Sequence, residues 1–267
     1  MTSILLVATH IILLACTLVL PVLLARTAAK RLKQERALIA MGLLAFVAAE
    51  LLRLVLESLS YRGFETGVLP LPSQEAAPLL RVLLGGFVLA LTMEGTRFVF
   101  FRRQIPDHRD ARGAAVFGAG IAASALALFA LLELGIAAAA WVWPESDMLA
   151  IENAGLSERM ARKLGLAIFA WWERTPTEVL VLCAEKIVFF VFQVALTICV
   201  ARSAAPKEQG GQKRWWFYAF VVHFAAATAS AHTPVYGSLF YGAGTVLCVP
   251  VFWRWSRKLA KPAKSAL

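Results

Sequence analysis

Charge is scarce in this chain. Charged side chains make up 16% of its 267 residues and gather in clusters between long apolar runs. A soluble domain is rarely more than about half apolar; here the hydrophobic share is 60% and the mean hydropathy +0.69. A separate soluble domain is not expected. Cysteine is also sparse. Cys16, Cys183, Cys199 and Cys248 all lie inside apolar runs with no CxxC spacing. That excludes a disulfide framework and leaves them as small packing residues. There are four histidines, with no HExxH pair, no nucleophile elbow and no evident serine-based set. No repeat or low-complexity linker interrupts the pattern.

The apolar runs are long enough to cross a bilayer, which takes roughly 20 residues. Seven are expected: Ser3 to Ala25, Ala37 to Leu59, Leu79 to Phe101, Ala111 to Trp143, Glu178 to Ala201, Trp215 to Ala231, and Tyr236 to Trp253. The first has no basic n-region and exceeds a signal-peptide core, so it is expected to stay as a span. The fourth is long enough to tilt or to project from the membrane. The class is thus all-α, a polytopic membrane helix bundle in one integral-membrane domain over residues 1–267.

Basic residues orient the bundle. The loops after spans one, three and five, together with the tail, hold eighteen Lys and Arg; the opposite side holds Arg62, Arg159, Arg162, Lys163 and Arg174. The positive-inside rule then predicts an outer N-terminus and a cytoplasmic C-terminus. Read by position, the net charge of +10 marks membrane flanks, and nucleic acid is not an expected partner. The tryptophans fit an aromatic belt, with Trp141, Trp143, Trp171 and Trp172 at the outer boundary and Trp215, Trp216, Trp253 and Trp255 at the inner. In the outer loop, Ser157 is placed to cap an interfacial helix near 157–172, whose apolar positions Met160, Leu164, Ile168 and Trp171 follow helical spacing. Ala114, Gly118 and Ala122 give span four a small-residue face for close packing.

Two layers of polar residues lie within the spans. Glu94 and Arg97 are three apart, so they share a helix face. At about 1.5 Å per residue, Glu94 lies roughly 10 Å from the inner end of its span, and Gln193 and His223 roughly 12–13 Å from theirs. Three helices therefore bring polar groups to one depth. The outer layer contains Glu50, Arg53, Glu133, Glu185 and Lys186. Glu50 and Arg53 read as a structural pair, and Glu133 as a protonated, hydrogen-bonded acid. Glu185 and Lys186 are adjacent and so point apart, needing partners on other helices. His223 has two open readings, an interhelical hydrogen-bonder or a ligand. His10, His108 and His232 read as surface or interfacial residues. A catalytic zinc needs about three protein ligands and an open position; the inner layer offers one carboxylate and one imidazole.

The order of these features resembles the YhfC family of intramembrane metalloproteases, relatives of the CAAX-processing membrane proteases, over roughly spans one to six. The family's Glu-Glu-x-x-Arg element corresponds to Met93-Glu94-Gly95-Thr96-Arg97, with Met in place of the first Glu. Its Gly-x-Gly-His-Gly-Gly-x-Glu element corresponds to Gly118-Ala119-Gly120-Ile121-Ala122-Ala123-Ser124-Ala125, where Ile121 replaces the His and Ala125 the Glu. Its Glu-Arg followed by His corresponds to Glu185-Lys186 and Gln193, with Thr197 where a Ser is usual, and its last His to His223. The resemblance implies the protease scaffold with most metal-binding positions replaced. Only Glu94 and His223 match potentially chemical positions, and His223 alone matches a family ligand. Arg97 and Glu185 remain as supports.

Three functions are therefore weighed. The first is a catalytically degenerate member in a plasma membrane, the bacterial inner membrane, with no cofactor. It binds lipid or a transmembrane segment of another protein, or serves as a scaffold. The second is an active metal-dependent hydrolase that recruits zinc through Glu94, Glu133 and His223. The third is a transporter or channel that uses the two polar layers as a pathway.

Overall fold

The structure, a computed structural model, describes residues 4–69, 73, 76–143, 157–209, 211–230 and 241–244. Every regular element among them is helical. The order is α1 (Ile4–Leu14), a π-helical segment (Ala15–Val19), α2 (Leu20–Leu32), α3 (Ala37–Glu65), α4 (Ala77–Val99), a second π segment (Phe100–Gln104), and α5 (Ala111–Val142). There follow α6 (Glu158–Glu173), α7 (Pro176–Ala204) and α8 (Arg214–Ser230). Residues 241–244 are also helical.

Five of these continuous helices are long and apolar enough to cross a membrane: Val7–Leu32, Ala37–Glu65, Ala77–Gln104, Ala111–Val142 and Pro176–Ala204. The sixth expected span is α8, with 17 residues. Most of the seventh, and His232 before it, fall outside the described residues. Exposed leucines and valines cover the outward faces of α3 (Leu44, Leu51, Leu54, Val55) and α5 (Leu128, Leu131, Leu132). Such faces suit lipid tails. The chain is an integral membrane helix bundle.

Local chemistry explains the helix breaks. Pro21 has no N–H to return to the carbonyl four residues back. The helix widens into a π turn just before it, with Leu20 N–H donating to the Ala15 carbonyl. The α2 helix ends on Lys33 in the left-handed region (φ 54°), and Gln34 N–H donates to the Ala29 carbonyl at 3.0 Å, a Schellman-type close. After the second π segment, Arg109 Nε donates to the Phe101 carbonyl at 2.7 Å, and Asp110 caps α5 by accepting from Gly113 N–H at 3.0 Å.

The α5 helix is the most buried span. It packs on α2, α3, α6 and α7. Close approach to α3 requires glycine on both sides. A Cβ at Gly42 would collide with the Phe117 carbonyl oxygen, and one at Gly120 with the Ile39 carbonyl oxygen. Toward α7, a Cβ at Gly118 would lie 2.8 Å from Thr197 Cβ. The helices α5 and α7 run antiparallel, so this contact sets Ile121 about level with Val194 and, further out, Phe129 level with Lys186. The second pairing is seen directly: the Lys186 ammonium sits 4.0 Å from the Phe129 ring centroid.

The interfacial helix forms where expected, as α6, but its cap and buried face differ. Ser157 starts the helix without a side-chain cap bond; its carbonyl accepts from Met160 N–H at 2.8 Å and Ala161 N–H at 2.9 Å. Met160 is exposed, and the buried stripe is Ala161, Ile168 and Trp171, packed on Ala140. Trp171 is thus a packing residue rather than a belt anchor. Its ring lies 4.6 Å from that of His10, which is buried and not at the surface.

Candidate functional site

The inner polar layer assembles from three helices. Glu94 and Arg97 come from α4, Gln193 from α7 and His223 from α8, and all four residues are buried, none more than 3% exposed. The helical spacing of residues 94 and 97 puts them on one face, where they form an ion pair between Arg97 Nη1 and Glu94 Oε1. Arg97 Nη2 donates to Gln193 Oε1. His223 Nδ1 lies 2.6 Å from Glu94 Oε1. A carboxylate ion-paired to a guanidinium accepts only, so Nδ1 carries the proton in this contact. Arg97 thus links two acceptors from different helices, and Glu94 Oε1 links two donors.

The surroundings fix this arrangement. Trp216 Nε1 donates to the Glu94 backbone carbonyl at 3.0 Å. Thr197 Oγ1 returns to the Gln193 carbonyl at 2.7 Å. Phe192 meets the His223 ring edge-on at 6.0 Å, and Tyr241 meets Phe192 at 5.0 Å. Two buried polar atoms of the cluster, Glu94 Oε2 and Arg97 Nε, have no hydrogen-bond partner among the described residues. Trp216 was not expected here, since a tryptophan at a helix end reads as a belt residue. Its spacing of seven from His223 was the available signal, because residues seven apart share a helix face.

The outer polar residues form separate local pairs. Arg53 reaches Glu50 and also Glu57, each at 2.8 Å; the second acid, one helical turn further on, was not foreseen. Glu133 Oε2 accepts from Arg174 Nη1 at 2.7 Å, a partner outside its own helix that the sequence did not suggest. Lys186 Nζ reaches Glu185 Oε1 at 3.4 Å as well as the Phe129 ring of α5 at 4.0 Å, so the adjacent pair meets each other and Lys186 also finds a partner on another helix. Glu133 lies fifteen residues beyond Gly118, roughly 22 Å along α5, and Gly118 touches Val194 beside Gln193. Glu133 therefore does not join Glu94 and His223.

The helices from α2 to α8, the cluster and the close α5–α7 approach all lie within the span of a known family model. The model for the YhfC intramembrane metalloprotease matches residues 16–246. This chain belongs to the YhfC intramembrane metalloprotease family. No curated protein and no solved structure matches it. Within this YhfC chain, Ile121 is an almost fully buried side chain at about the depth of the cluster.

Proposed function

We propose that this YhfC-family protein is catalytically degenerate and acts in the plasma membrane as an embedded binding or scaffold protein. The observation that carries the reading is the donor set around Glu94 and His223. The Arg97 guanidinium bonds both Glu94 and Gln193, so the carboxylate and the amide at this level are already held by protein donors. The family element itself carries an arginine at this place, so the donors that are missing, rather than the charge, argue against a metal. The set fits a catalytic zinc poorly. It offers one carboxylate and one imidazole, with Gln193 a weak donor, Ile121 and Ala125 without donors, and Glu133 on a different level.

What remains suits binding. Glu94 Oε2 and Arg97 Nε are a buried acceptor and donor left over. A buried polar atom without a partner costs about 1–3 kcal/mol, which a ligand group or water recovers. A polar group on a transmembrane segment of another protein is the partner class at this depth, and reaching the cluster requires the packed helices to part, since none of the four residues is more than 3% exposed.

Reconstitution with labelled transmembrane peptides tests the proposal. The expected result is binding that Arg97→Met weakens, with no cleavage, and no response to chelators. Chelator-sensitive cleavage lost in Glu94→Gln would overturn it. The triple change Ile121→His, Ala125→Glu and Gln193→His should raise metal affinity. An unchanged affinity would show that these positions do not face a common site.

A further inference from the structure

A second site lies at the elbow between α6 and α7, on the opposite side of the bundle from the inner cluster. A cleft of about 620 Å³ opens there, within the usual range for small-molecule sites. One wall is apolar, from Phe169, Val181 and Leu182; the other is charged, from Glu173, Arg174 and Glu178. Phe169 and Val181 are exposed. Pro176 begins α7, so Val181 lies only about 7–8 Å deeper along the helix. The charged wall therefore sits where the span enters the membrane, and the apolar wall leads inward from it.

The charges of this cleft are unbalanced. Arg174 already gives Nη1 to Glu133 at 2.7 Å. Glu178 accepts through Oε2 from Thr175 N–H at 2.7 Å and Thr175 Oγ1 at 2.9 Å, which leaves Oε1. Glu173 is exposed and makes no ion pair among the described residues. Two carboxylates thus face the interface with one cation that is shared with a third acid. An anionic headgroup is repelled by this set. A zwitterionic headgroup is matched, with its ammonium between Glu173 and Glu178 and its phosphodiester on the remaining Arg174 donors.

We propose that the α6–α7 cleft binds a phospholipid with a primary ammonium headgroup, phosphatidylethanolamine, whose acyl chain runs along Phe169, Val181 and Leu182. A primary ammonium supplies three N–H donors to the two acids, whereas a trimethylammonium supplies none. Selection of ethanolamine over choline follows from those donors, and selection over glycerol headgroups from the charge.

Native mass spectrometry of the full-length protein in mild detergent, titrated with phosphatidylethanolamine, phosphatidylcholine and phosphatidylglycerol of identical chains, tests this. The expected result is about tenfold tighter retention of one phosphatidylethanolamine, a 1.4 kcal/mol difference. The double variant Glu173→Gln, Glu178→Gln keeps the glutamine needed for the α7 cap and should erase the preference. Val181→Trp, at an exposed position, should fill the cleft and remove the retained lipid of every class. Equal retention of the three lipids, or a preference that survives the double glutamine variant, would overturn the proposal. So would an undiminished lipid count in Val181→Trp.

Discussion

The inner cluster and the outer charge pairs are both built around glutamate and arginine and do different things. In the outer layer, Arg53 bonds Glu50 and Glu57 within one helix, and both acids stay partly exposed, at 19% and 25%. Lys186 bonds the residue beside it. Glu133 with Arg174 is the ion pair that crosses elements, tying α5 to the elbow between α6 and α7. In the inner layer, Arg97 reaches a residue 96 positions away, and Glu94 one 129 positions away. Local pairs let a helix carry charge in a membrane. The inner cluster instead specifies which helices meet and at what register.

This difference can be broken by substitution, and the largest effect is expected at Arg97. Arg97→Met leaves a fully buried Glu94 without its counter-charge and should cost about 3–5 kcal/mol, measured by reversible unfolding in mixed micelles. Adding Glu94→Gln to it should recover part of that loss, because the two residues are coupled. A loss no larger than that of an outer pair would make the two layers equivalent. His223→Leu removes a hydrogen bond to a charged group and should cost about 1.5–3 kcal/mol. Glu133→Gln keeps a hydrogen bond to the partly exposed Arg174 and should cost about 1 kcal/mol. Glu57→Gln should change stability by under ~1 kcal/mol, since Arg53 keeps Glu50 through two nitrogens.

The sequence made the helices legible because hydrophobic length alone defines a span. The start of α3 at Ala37 and the extent of α5 from Ala111 match the expected limits closely. Spans one and two run further than expected, to Leu32 and Glu65. A helix continues past the apolar run when its flanking residues are good helix formers, and hydropathy does not see this. The convergence of Glu94, Gln193 and His223 was legible as shared depth. What depth omits is rotation about each helix. Depth alone already separates Glu133, in the outer layer, from that cluster; weighing it as a zinc ligand set the depth aside, and the structure pairs it with Arg174.

Other features had signals that went unused. Thr175-Pro176-Thr177-Glu178 is a capping-box pattern, and the structure forms both of its bonds at the head of α7. Cys16 and Cys183 lie far apart in sequence and read as scattered, yet they belong to one packed cluster between the first span and α7. No spacing rule connects two thiols on separate spans. The glycine contact between Gly42 and the α5 backbone was equally hidden, since a lone glycine in an apolar run announces no partner.

The central claim is that Arg97, and not a metal, holds the inner cluster together. The most direct measurement is the metal content of the unaltered protein, purified in mild detergent without chelators and analysed by inductively coupled plasma mass spectrometry. Far less than one zinc, cobalt or iron per chain is the predicted result, unchanged by His223→Leu. One metal per chain, lost in His223→Leu, would contradict it.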